Sequence, residues 1–244
     1  IRRRPFYPMA RFLRSGDRQD AGDREGALAD LEAALRLKPG FVEALHNRGV
    51  ARQELGDLAG AAADFEESLR LRPRYTETLY ARGLLRQDQG NPDGAASDFE
   101  EALAVDPEFA PAYVGRASLQ FARGDLDGAI ADYDAALRIA PRLAAALGNR
   151  AGLRQAKGDL DGAIEDFTRY LDEDPRSSRF LSARGIARSL KGDESGALAD
   201  FEAAIAADPG CHGAFAERGI LRKNAGDLDG AIEDYTEALR IEPG

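Results

Sequence analysis

Tryptophan is absent from the 244 residues, cysteine and methionine occur once each, and histidine twice, as His46 and His212. The lone Cys211 excludes an intramolecular disulfide and a cysteine-based zinc site. His212 is its neighbour in sequence, but adjacency along a chain does not make a nucleophile and base pair. No apolar run approaches the ~18 residues of a membrane-spanning helix. Lysine is scarce too: only Lys38, Lys157, Lys191 and Lys223 stand among 33 basic residues, the arginine bias of a GC-rich, bacterial coding sequence. A single cysteine does not fix the compartment; the cytoplasm is the favoured expectation, with the periplasm and secretion left open.

The formal net charge is −10. It is unevenly spread, because residues 1–14 hold five arginines and no acid. An acidic chain repels nucleic acid and anionic membranes, so neither is an expected partner. The Arg2-Arg3-Arg4 run reads as a solvated flank within residues 1–7.

What is abundant is repetition. Gly-Asp stands at residues 22, 56, 124, 158, 192 and 226, with Gly-Asn at 90, always 34 apart. Gly-Ala follows four residues later each time, and a proline closes each unit, from Pro39 to Pro243. A fixed period of this size means stacked supersecondary units rather than one globular core. Seven units result, 8–41, 42–75, 76–109, 110–143, 144–177, 178–211 and 212–244, with no room for a separate catalytic domain. Each Gly-Asp-x-x-Gly-Ala is a turn and helix start, not a phosphate loop, and no cofactor motif is present. The regularly spaced acids belong to the same period and do not form catalytic carboxylate pairs.

In 42–75, Val42 to Leu55 contains helix formers throughout. Gly56 suits the left-handed position that ends a helix, and Asp57 suits the N-cap of the next. Ala61, Ala62, Phe65 and Leu69 recur with a helical period until Pro73 stops it. The spacing predicts an antiparallel helix pair, with Gly49 and Ala61 at the crossing and Phe65 filling the space beside them.

The small residue, Gly-Asp, Ala, aromatic and Pro at fixed offsets over residues 8–244 resemble the tetratricopeptide repeat family. The resemblance implies an all-α, right-handed superhelical solenoid whose first helices line a groove that binds peptides or partner helices. Two departures stand out. Leu45, Leu79, Tyr113, Leu147, Leu181 and Phe215 replace the family's tryptophan. Arginine replaces its usual leucine in every unit, as Arg14, Arg48, Arg82, Arg116, Arg150, Arg184 and Arg218. A matching column, Asp30, Asp64, Asp98, Asp132, Asp166, Asp200 and Asp234, precedes the aromatic. Charge at normally packed places implies paired charge, so an inter-helix ladder of ion pairs is expected. A second arginine column lies four residues after the first, with Gln120 in the fourth unit, and the sequence leaves open whether it shares the Asp or faces solvent.

The groove implied by the resemblance falls at Glu43, His46, Val50, Gln53 and Glu54, then at Glu77, Tyr80, Leu84, Gln87 and Asp88, and includes Val114 and Phe121. Apolar and aromatic residues edged by acids suit an apolar segment with basic flanks. Chaperone-tail binders of the family clamp a carboxylate with Lys and Asn, but His46, Tyr80, Val114, Val50 and Leu84 occupy those places, which argues against that ligand. The expected function is therefore a non-enzymatic protein-interaction scaffold. The alternatives are a self-assembling scaffold, through the apolar face Ile232, Leu239 and Ile241 of the last helix, and a regulatory arm of a larger enzyme. Tyr170 stands where other units have Ala or Ser, and Phe180 replaces a small residue, so a local irregularity is expected there.

Overall fold

A computed structural model describes residues 7–243; the Arg2-Arg3-Arg4 run lies outside the described residues. Among them are fourteen α-helices and no strand. They are α1 (Tyr7–Asp20), α2 (Arg24–Leu37), α3 (Val42–Glu54), α4 (Leu58–Leu71), α5 (Thr76–Asp88), α6 (Pro92–Val105) and α7 (Ala110–Ala122). They continue as α8 (Leu126–Ile139), α9 (Ala144–Ala156), α10 (Leu160–Leu171), α11 (Ser178–Lys191), α12 (Glu194–Ala207), α13 (His212–Asn224) and α14 (Leu228–Ile241). The chain forms two compact units, Ile1–Ala122 and Arg123–Gly244, so the division falls inside the fourth repeat. Each unit is a helical repeat stack.

Local chemistry explains the helix boundaries. In the second repeat Gly56 adopts φ +85°, where a side chain would be strained, and lets α3 turn into α4. Asp57 then accepts a hydrogen bond from the Gly60 amide at 2.9 Å, satisfying a donor that the helix leaves unpaired. The pair closes because Gly49 lies against the Phe65 ring. A Cβ built there would come within 2.5 Å of it.

The core of unit one centres on the fully buried Leu31, Phe65 and Phe99, and that of unit two on Phe167 and Phe201. The helix pair α10 and α11 breaks the pattern. The Tyr170 and Phe180 rings meet at a 39° tilt with centroids 3.9 Å apart, both half-buried, and the Phe180 ring occupies the space above Gly148. α10 ends at Leu171 after twelve residues, where most second helices have fourteen. An aromatic pair thus fills volume that small residues leave elsewhere.

Candidate functional site

Buried charge joins the two helices in six of the pairs. Arg48 donates from Nε and Nη2 to both oxygens of Asp64, at 2.9 and 2.5 Å. Arg82 does the same with Asp98, Arg150 with Asp166, Arg184 with Asp200 and Arg218 with Asp234. Arg14 grips Asp30 at 2.6 Å and holds its carboxyl below the usual range, against the opposing effect of burial. Asp132 is buried like the other acids of its column, and the Arg116 guanidinium lies 5.6 Å from the Tyr113 ring centroid.

The second arginine column shares the same acids. Arg52 donates to Asp64 at 2.9 Å, Arg86 to Asp98 at 2.8 Å, Arg154 to Asp166 at 3.0 Å and Arg188 to Asp200 at 2.9 Å. Arg52 also reaches the Gly60 carbonyl, at the start of α4. Two like charges one helical turn apart are thereby reconciled by one carboxylate and the carbonyl behind it.

On the faces that this scaffold leaves free in unit one, α3 and α5 line a hollow of about 690 Å3. From α3 come His46, Val50, Gln53 and Glu54, and from α5 Glu77, Tyr80, Ala81, Leu84 and Asp88. Leu58, at the start of α4, and Phe109, just before α7, complete it. The floor is aromatic and aliphatic. Tyr80 meets Phe109 edge-on at 5.6 Å and leans on Phe99 at 5.8 Å. Burial pushes the Tyr80 hydroxyl above its ordinary pKa. His46 is held by a buried chain of hydroxyls, its Nδ1 at 3.1 Å from Thr78 Oγ1, which lies 3.1 Å from Ser68 Oγ. Burial draws the imidazole below its ordinary pKa, with Glu77 opposing.

The rim is acidic and partly engaged. Glu54 pairs with Arg24 at 3.2 Å, and Gln53 Nε2 donates to Asp88 at 3.4 Å. Glu77 is exposed. The structure thus brings together eight of the groove residues read from the sequence. It sets four apart from the hollow. Glu43 is paired with Arg72 at 2.6 Å, and Arg72 in turn covers the Tyr75 ring. Gln87 has its Oε1 buried without a hydrogen-bond partner, while Val114 and the exposed Phe121 belong to α7. Leu58 and Phe109 fall outside the expected stripe, which lies on first helices alone. Phe109 precedes α7 as Phe41, Tyr75 and Leu143 precede α3, α5 and α9, whereas Ser177 and Cys211 stand before α11 and α13.

Among curated proteins, none matches this chain. Solved structures do match. A tetratricopeptide repeat protein from Parabacteroides merdae is 22% identical, with 97% of this chain and 93% of that chain covered and a TM-score of 0.64. PilW, a type IV pilus biogenesis factor, is 21% identical over 83% of this chain and 94% of that chain, with a TM-score of 0.73. YrrB, described as a TPR protein with an unusual peptide-binding site, is 18% identical over 81% and 98%, with a TM-score of 0.59. At these identities the likeness shows the fold. Models of the tetratricopeptide repeat match residues 42–75, 80–144, 149–210 and 191–244, and the chain belongs to the tetratricopeptide repeat family.

Proposed function

We propose that this chain is a scaffold that binds a peptide or partner helix in the hollow of unit one, and that the bound segment is apolar with basic flanks. Repeats of this family generally mediate protein–protein interaction and are generally non-enzymatic. The observation that carries the finer reading is the apolar floor of Val50, Leu58, Tyr80, Leu84 and Phe109 beneath the carboxylates of Glu54, Glu77 and Asp88. A buried aliphatic anchor contributes roughly 1.5–3 kcal/mol, whereas each exposed rim charge adds about 0–1 kcal/mol. Affinity therefore comes from the floor, and the rim selects the sign of the flanks.

A peptide library selected against the chain tests this. The expected winners carry Leu, Ile, Met or Phe beside Lys or Arg. Leu84→Glu weakens them by about tenfold or more, with helicity retained by circular dichroism. Enrichment of acidic peptides, or winners indifferent to Leu84→Glu, would sink the reading.

A second reading, self-association, is favoured by one observation. Ile232 and Leu239 on α14 are 61% and 63% exposed, with Leu228 beside them at 59%. The mass in solution of the wild type and of Leu239→Glu decides it. Association that rises with concentration and is lost in the variant supports this reading, and a strict monomer removes it.

A further inference from the structure

A recess of about 560 Å3 opens in unit two between α8, α9 and α10. Three arginines and one carboxylate line it: Arg138, Arg150, Arg169 and Asp134. In a chain of net charge −10 this is a local reversal of sign.

The repeat supplies its own comparison. Three repeats earlier, in unit one, the places of Asp134, Arg138, Arg150 and Arg169 hold Glu32, Arg36, Arg48 and Glu67, and two repeats earlier they hold Glu66, Arg70, Arg82 and Glu101. Two acids and two bases cancel in each of those sets. In the recess the last acid is replaced by Arg169, which leaves an excess of two positive charges.

Pairing differs in the same way. Arg36 has Glu32 at 4.0 Å, Arg70 has Glu67 at 2.6 Å and Arg240 has Glu237 at 2.8 Å. Arg138 has no such partner among the described residues. The carboxylate four residues before it, Asp134, sits 2.5 Å from Arg150 Nη1 and 4.0 Å from Arg154. Arg169 is pinned by a 2.7 Å hydrogen bond to the Pro141 carbonyl, and its nearest carboxylate, Asp166 at 4.0 Å, is gripped by Arg150 and Arg154. A basic last turn does complement the dipole of α8, but that effect amounts to about half a charge, and Arg36 and Arg70 share it while also being paired.

We infer that this recess binds a phosphate monoester, with Arg138 and Arg169 facing the dianion and the buried Arg150 closing the inner wall. Two excess guanidiniums match a doubly charged oxyanion, where a carboxylate would neutralise only one. Ala131 and Leu137 offer an apolar wall for the organic part of the ester. The inference is independent of the hollow in unit one, and its failure leaves that reading untouched.

The test is a titration of the labelled chain, followed by the arginine Nε–H signals in NMR at constant ionic strength. With inorganic phosphate, the Arg138 and Arg169 signals are expected to shift saturably, with half-saturation at about 1 mM, and acetate to act about tenfold more weakly. Arg169→Glu, which restores the acid found at Glu67 and Glu101, loses about tenfold or more in phosphate affinity while remaining folded, and Arg70→Gln in unit one loses nothing. Non-saturating shifts, equal effects of acetate, or an unchanged response in Arg169→Glu overturn the site. Glycerol phosphate and a short phosphoserine peptide then distinguish a free ester from a phosphorylated partner, the tighter binder naming the source. If neither exceeds inorganic phosphate, the ester assignment is wrong.

Discussion

Asp166 is fully buried and accepts hydrogen bonds from both Arg150 and Arg154, so removing it takes away their shared buried counter-ion and leaves Arg150 only the half-exposed Asp134. Breaking a buried pair in this way costs about 3–5 kcal/mol. Asp161, paired with Lys191 at the surface, is the contrast, and its loss costs about 0–1 kcal/mol. Urea unfolding of Asp166→Ala and Asp161→Ala should separate the two by at least about 2 kcal/mol. His46 provides a pH signature. Its folded pKa is lowered, chiefly by burial, with Glu77 opposing, so the folded chain binds fewer protons than the unfolded one. The stability linked to neutral His46 is complete above its unfolded pKa of about 6.5 and is lost as pH falls through the lower folded value. Unfolding curves of wild type and His46→Gln, compared between about pH 7.5 and pH 5, should diverge in that window. Asp30 acts at lower pH. The Arg14 hydrogen bonds outweigh burial, and the stability it adds is present above its unfolded pKa and lost as pH falls through the depressed folded one.

Helix pairing rests on close approach, and the glycines reveal where. A Cβ at Gly49 would overlap the fully buried Phe65 ring at 2.5 Å, and that ring has nowhere to move. Gly49→Ala is expected to destabilise by about 1–3 kcal/mol. Gly152, in the middle of α9, meets nothing within 4 Å. Gly152→Ala should stabilise by roughly 0.5–1 kcal/mol, because it only removes the entropy cost of a helical glycine. Thermal melts of the two variants should therefore move in opposite directions. Two glycines within helices carry opposite predictions, and only the distance to a neighbouring ring separates them. The sequence marked Gly49 as a crossing residue through its place beside Ala61 and Phe65. The contact between Tyr170 and Phe180 was half-legible: both residues were out of pattern, but the closeness of their rings depends on how α10 and α11 meet.

For the whole molecule, charge is the dominant long-range property. A chain of −10 attracts basic-flanked segments at a distance, and salt screens this more strongly than it affects the apolar floor of the hollow. Peptide association rates should therefore fall by about tenfold or more between about 0.05 and 0.5 M salt, while dissociation rates change less. Stopped-flow kinetics at several ionic strengths check this, and equal changes in both rates would count against it.

The period, the helix pairs and the family followed from the sequence by itself, because Gly-Asp turns, N-caps and closing prolines act within a few residues. The Arg and Asp columns were equally visible. Tertiary structure decided what those columns do: one carboxylate serves two arginines from the facing helix, a geometry that depends on how the pair closes. It also decided which groove residues converge. His46, Tyr80 and Asp88 share one hollow with Leu58 and Phe109, while Glu43 turns to Arg72 and Gln87 stands apart from the lining. The positive recess by Arg138 and Arg169 is of the same kind, since its charges come from three successive helices and only their packing brings them together. Signals within one turn of helix are written in sequence order, whereas the surroundings of a charge depend on neighbours that only the fold brings near.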